Sequence, residues 1–146
     1  MKLIAASSFC LCVLIPHFSC AAEQQGFERM VVQRSDGTGG IRETYEITAD
    51  GKYNFSDLAK MNKGQLEGEQ LKAFLTAVNS VEWAKLPPKK NAAGAARFKP
   101  ELFQYSVAIV TEKKLYQVSF HESAYADDKQ MQAFLGELLN CKQLVK

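Results

Sequence analysis

The chain is poor in the side chains that carry covalent or metal chemistry. Its 146 residues include two histidines and four cysteines. His17, Cys10, Cys12 and Cys20 all fall in the first 22 residues, which leaves His121 and Cys141 for the remainder. One histidine does not assemble the roughly three protein ligands of a catalytic zinc. There is no H-E-x-x-H motif, and His121-Glu122 reads as the polar end of a strand. One cysteine permits no internal disulfide. Cys141 lies seven residues after Phe134 on an apolar helical stripe, which predicts a buried, inert thiol rather than a nucleophile. Ser119, His121 and Glu122 offer a triad on paper, but no nucleophile elbow accompanies them.

Charge of one sign is lacking too. Lys and Arg number 18 against 16 Asp and Glu, a formal net charge of +2. That balance points neither to nucleic acid nor to an anionic surface. Long apolar runs are confined to Leu3–Ile15, interrupted by Ser7 and Ser8. This run follows Lys2 and gives way to small residues before Glu23, the layout of a secretory signal peptide and too short for a membrane anchor. Cys20-Ala21-Ala22 is an acceptable cleavage site, so residues 1–22 are expected to be removed and 23–146 to form a single α+β domain. The alternative is lipidation of Cys20. Ser19 suits a lipobox, but His17 and Phe18 do not, so ordinary cleavage is the favoured reading. The protein is expected to be secreted or periplasmic, with no transmembrane segment.

The remaining sequence divides by periodicity. Phe27–Arg34 is a short β-like run, and Ile41–Thr48 alternates with Ile41, Tyr45 and Ile47 on one face. Asp50-Gly51 is a two-residue hairpin signal leading to a third strand with Tyr53 and Phe55 on one side. The polar segment from Asp57 to Gln70 reads as a connection. From Glu69 the period becomes helical, with Leu71, Phe74, Leu75 and Val78 on one stripe, and Pro87-Pro88 closes the unit. Lys89–Pro100 reads as a surface loop. Phe103–Ile109 and Leu115–Phe120 alternate as a second hairpin, and Asp127 is placed to cap a last helix carrying Met131, Phe134, Leu135, Leu138 and Cys141. The order β-β-β-α-β-β-α predicts an α+β fold: an antiparallel sheet of four to five strands with two helices packed on one face.

One stretch exceeds what its place requires. Between the first two strands stands Ser35-Asp36-Gly37-Thr38-Gly39-Gly40, whereas a tight hairpin needs two turn residues. A phosphate loop would require a lysine after the glycines and then a helix; a calcium loop would require further acids. Neither is present around Asp36, and no cofactor is expected. The residues support either a solvent-exposed turn or a tip presented to a partner, since glycine lets backbone approach another surface closely.

The assembled features resemble the emfourin-like proteins, small inhibitors of thermolysin-family zinc metallopeptidases of the protealysin kind. The resemblance is carried by the Gly-Gly loop Arg34–Gly40, the Asp50-Gly51 hairpin, the helix running to Trp83 and Leu86-Pro87, and Glu101-Leu102-Phe103-Gln104-Tyr105 opening the second hairpin. Val118-Ser119-Phe120 and the last amphipathic helix complete it. In the family pattern a hydrophobic residue and another glycine commonly follow the Gly-Gly. Here Arg42 and Glu43 follow Ile41, which implies a shorter or stiffer tip. The resemblance implies no enzymatic activity and a partner that is a secreted zinc metallopeptidase. Its cleft would receive Asp36, Gly37, Thr38, Gly39 and Gly40, with Thr38 or the Asp36 carboxylate approaching the zinc or the substrate subsites. The alternative is a small cell-envelope binding protein, lipidated or not, with no peptidase target. Mass spectrometry of the exported protein is expected to find its N-terminus at Glu23; a lipid mass on Cys20 would establish the other route.

Overall fold

Alternation of buried and open positions builds the centre of one sheet, broken in its first strand by a bulge between Phe27 and Arg29. A computed structural model of the chain describes residues 26–91 and 103–143. The strands are β1 (Phe27–Ser35), β2 (Arg42–Thr48), β3 (Lys52–Ser56), β4 (Met61–Gln65), β5 (Lys89–Lys90), β6 (Gln104–Thr111) and β7 (Leu115–His121). The helices are α1 (Gly68–Ser80) and α2 (Lys129–Gln143), with 3₁₀ turns at Trp83–Lys85 and Glu122–Tyr125. The sheet order is β4-β3-β2-β1-β6-β7-β5. The fold is α+β, as the periodicity implies. Among the described residues the strand count is seven, not four to five, and the sheet is mixed, because β5 runs parallel to β7.

The two additional strands are the two edges. β4 replaces part of the expected connection. Its sequence, Met-Asn-Lys-Gly-Gln, lacks apolar alternation because an edge strand needs only one bonded side and little burial. β5 is two lysines drawn against Ser119 and Phe120. The expected signal segment, Cys20 and most of the expected Lys89–Pro100 loop lie outside the described residues.

One face of the sheet forms the core. Met30 and Val32 of β1, Tyr45 and Ile47 of β2, Tyr53 and Phe55 of β3, Val107 and Ile109 of β6, and Val118 and Phe120 of β7 are all buried. The helices cover them. Phe74 of α1 meets Phe27 edge-on at 6.4 Å, and Phe134 of α2 meets Trp83 at 5.2 Å. The Trp83 indole N–H also donates to the Val78 carbonyl (2.9 Å), which the Val81 N–H reaches as well (3.4 Å), so both close the end of α1. All five apolar residues expected on the last helix are buried. Its cap is Asp128 rather than Asp127: Asp128 Oδ1 accepts from the N–H groups of Gln130 and Met131, each at 3.0 Å. Ile41, expected on the buried face of β2, lies outside the strand and is exposed. No helix among the described residues is long and apolar enough to cross a membrane.

β4 is held by a close approach. A Cβ on Gly64 would collide with the hydroxyl and ring of Tyr53, its partner across the β3–β4 ladder. Gly64→Val is therefore expected to lower stability by about 1–3 kcal/mol in urea denaturation, and to accelerate amide exchange at Asn62 and Gly64 ahead of the central strands.

Candidate functional site

The long connection between β1 and β2 is a closed structure rather than slack chain. The Asp36 N–H donates to the Ile41 carbonyl, and the Ile41 N–H donates back to Asp36 Oδ1, both at 3.2 Å. Within the ring so formed, the Thr38 hydroxyl donates to Asp36 Oδ2 at 2.6 Å. Thr38 Oγ1 in turn accepts from the Gly40 N–H at 3.5 Å. Gly39 sits at φ +78°, a conformation that side chains with a Cβ rarely adopt. The Thr38 hydroxyl, helped by the backbone N–H groups of Ile41, Gly39 and Gly40, holds the Asp36 carboxyl below the ordinary carboxylate value. The structure thus brings the five expected site residues together at one end of the sheet, with Gly37–Gly40 exposed. Asp36 has a role that spacing alone does not reveal: its carboxylate is turned into its own loop and shapes the tip.

The tip stands on a buried charge cluster. Arg34 and Glu43 are cross-strand partners, and Arg34 is also paired with Tyr105 of β6, which pairs with Phe120 of β7. These four side chains form the last inward row before the loop. Glu43 is 5% exposed. Its Oε2 accepts from Arg34 Nη1 at 2.9 Å and from the Tyr45 hydroxyl at 2.8 Å. Its Oε1 accepts from Lys142 Nζ at 2.5 Å. Arg34 Nε donates to the Tyr105 hydroxyl at 3.2 Å, and its guanidinium lies 3.4 Å from the centre of the Phe103 ring. Among the described residues, no buried side-chain nitrogen or oxygen lacks a hydrogen-bond partner. Burial alone would raise the Glu43 carboxyl. The hydrogen bonds from Lys142, Arg34 and Tyr45 outweigh it and hold the group below its usual value. Burial, then the bond to Glu43, pushes the Tyr45 hydroxyl far up.

Glu43 is the residue that sequence reading passes over, although the signal is present. It stands two before Tyr45 and four before Ile47, on the inward phase of β2, so its carboxylate had to be buried. The partners were less legible, since Lys142 is 99 positions away.

The side chains considered for chemistry are engaged in structure. His121 Nδ1 contacts the Ser123 hydroxyl at 2.8 Å and accepts from the Ser123 N–H at 3.3 Å, capping the 3₁₀ turn. The Ser119 hydroxyl bonds that of Ser106. Cys141 is buried and free, and burial raises its thiol to about 11. Among the described residues no three His, Cys, Asp or Glu side chains are grouped so as to hold a metal ion. At the same end as the tip, the β3–β4 turn is closed by Asp57 Oδ1, which accepts from the N–H groups of Ala59 and Lys60. Leu58 and Met61 beside it are strongly exposed.

No protein-family model matches the chain, and no curated protein matches it. The likeness to emfourin-like inhibitors therefore rests on the quoted residues.

Removing the charge of Glu43 strands the largely buried Arg34 guanidinium at the foot of the tip, whereas the half-exposed Lys142 can turn to water. Glu43→Gln is expected to destabilise the protein by about 3 kcal/mol at neutral pH. A carboxyl lowered on folding stabilises above its unfolded value, near 4.5, and that contribution is lost as pH falls through the folded value. Urea denaturation from pH 7 to 3 is expected to show a smaller acid loss in Glu43→Gln than in wild type. Asp36, Asp50 and Asp57, also lowered, keep the remaining slope at the same sign.

Proposed function

We propose that the protein is an exported, non-enzymatic inhibitor of a thermolysin-type zinc metallopeptidase, with the Asp36–Gly40 tip entering the peptidase cleft. One observation carries this reading: an exposed loop, longer than its turn requires, closes on itself through Asp36 and stands on the Arg34–Glu43–Lys142 cluster. A loop ordered before binding loses little entropy when it docks, which favours affinity. In this reading Asp36 sets the shape of the tip, and the exposed backbone of Gly37–Gly40 makes the contact. Approach of the Asp36 carboxylate to the peptidase zinc would require its bonds from Thr38 and Ile41 to open. Export would place the inhibitor among exported peptidases. A second reading, an envelope binding protein without a peptidase target, draws on the exposed Leu58 and Met61 at the same end of the sheet.

Titration of the mature protein into a thermolysin-type peptidase assay tests the proposal. Inhibition is expected at micromolar protein or below. Gly39→Val combined with Gly40→Val forces a β-branched residue into the left-handed position and is expected to weaken inhibition at least about tenfold while circular dichroism stays unchanged. Unchanged rates across several such peptidases would sink the inhibitor reading. Inhibition that survives the double substitution would remove the tip from the role.

A further inference from the structure

β4 is an edge with an unusual combination of features. The Asp57 N–H donates to the Lys60 carbonyl and the Leu66 N–H to the Gly51 carbonyl, so residues 60 and 66 are bonded positions of the β3–β4 ladder. By the alternation of an antiparallel pair, Asn62 and Gly64 also bond toward β3. The N–H and C=O groups of Met61, Lys63 and Gln65 then point away from the sheet, and among the described residues no strand lies on that side. On the outer face Met61 is 68% exposed, and Lys63 follows two residues on, opposite Asn54. The acids of the turns that flank β3 are engaged: Asp50 with Lys52 and Thr48, and Asp57 with the backbone of its own turn.

We propose that β4 is a docking edge for an extended segment of another protein, one with an acidic residue opposite Lys63 and an apolar residue opposite Met61. The open backbone groups supply the pairing, and the two side chains select the sequence. Lys63 also argues against a second copy of this chain. Antiparallel pairing of β4 with itself about its centre would set Lys63 opposite Lys63, which is destabilising. A single lysine thus guards the edge against self-association while attracting an acid-bearing strand. This proposal does not rest on the inhibitor reading, because β4 is separated from the tip by β2 and β3.

The test uses the full-length mature protein and two fluorescein-labelled, capped nine-residue peptides of alternating valine and threonine. One has a central glutamate and the other a central lysine. Fluorescence anisotropy is expected to show saturable binding of the glutamate peptide, with the lysine peptide roughly fivefold weaker or more. Lys63→Pro removes an outward N–H without touching the β3 ladder, and is expected to abolish binding with the fold retained. Lys63→Glu is expected to reverse the preference between the peptides, and it decides the matter if the proline variant does not fold. Absence of saturable binding, equal affinity for both peptides, or an unaltered preference in Lys63→Glu would overturn the proposal. So would concentration-dependent dimerisation in sedimentation that Lys63→Pro removes, since β4 would then be a self-pairing edge.

Discussion

A carboxylate taken out of water costs several kcal/mol unless other charges and donors meet it. Glu43 is such a group, and much of the architecture around it follows from that need. Arg34 comes from β1, Tyr45 from β2 and Lys142 from the last turn of α2, so one side chain ties together three elements. The register of β1 against β2 is tied to the same pair. A slip of one residue would turn Glu43 outward and take Tyr45 and Ile47 with it. The cations are covered by rings: Phe103 lies against Arg34, and Phe55 lies near Lys142. Neighbouring rings continue the cover, with Tyr105 stacked on Phe120 and Phe120 edge-on to Tyr125.

The chain contains its own comparison for the tip. Between β2 and β3 it turns in three residues. Asp50-Gly51 closes with the Gly51 N–H on the Thr48 carbonyl, and Lys52 draws the Asp50 carboxyl down to about 2. That turn has no buried charge beneath it. The β1–β2 connection uses the same device, an aspartate organising nearby donors, but spans more residues and rests on the ion cluster. The difference lies in footing as much as in length.

Much of this was legible in the sequence, and the gaps have physical causes. The two hairpins and both helical stripes showed because a half-buried strand and an amphipathic helix must display their periods. β4 and β5 did not, since strands with one bonded side and exposed side chains have no period to display. The capping residue moved from Asp127 to Asp128 because adjacent aspartates offer the same chemistry, and only the helix phase chooses between them. The tip was visible from its three glycines. The cluster beneath it was not, because Glu43 sat in an apolar pattern as an exception, while its second cation lay in a distant helix.

That distance has a consequence for the order of events in a folding chain. Arg34 and Glu43 are nine residues apart and can meet as soon as the first hairpin forms. Lys142 reaches the same carboxylate across 99 residues and arrives only when α2 docks. Until then Glu43 lacks one of its two counter-charges, and the hairpin that bears the tip has its weakest base. A nascent chain therefore carries the tip without its final support, and α2, made after the strands, completes the first turn of the sheet.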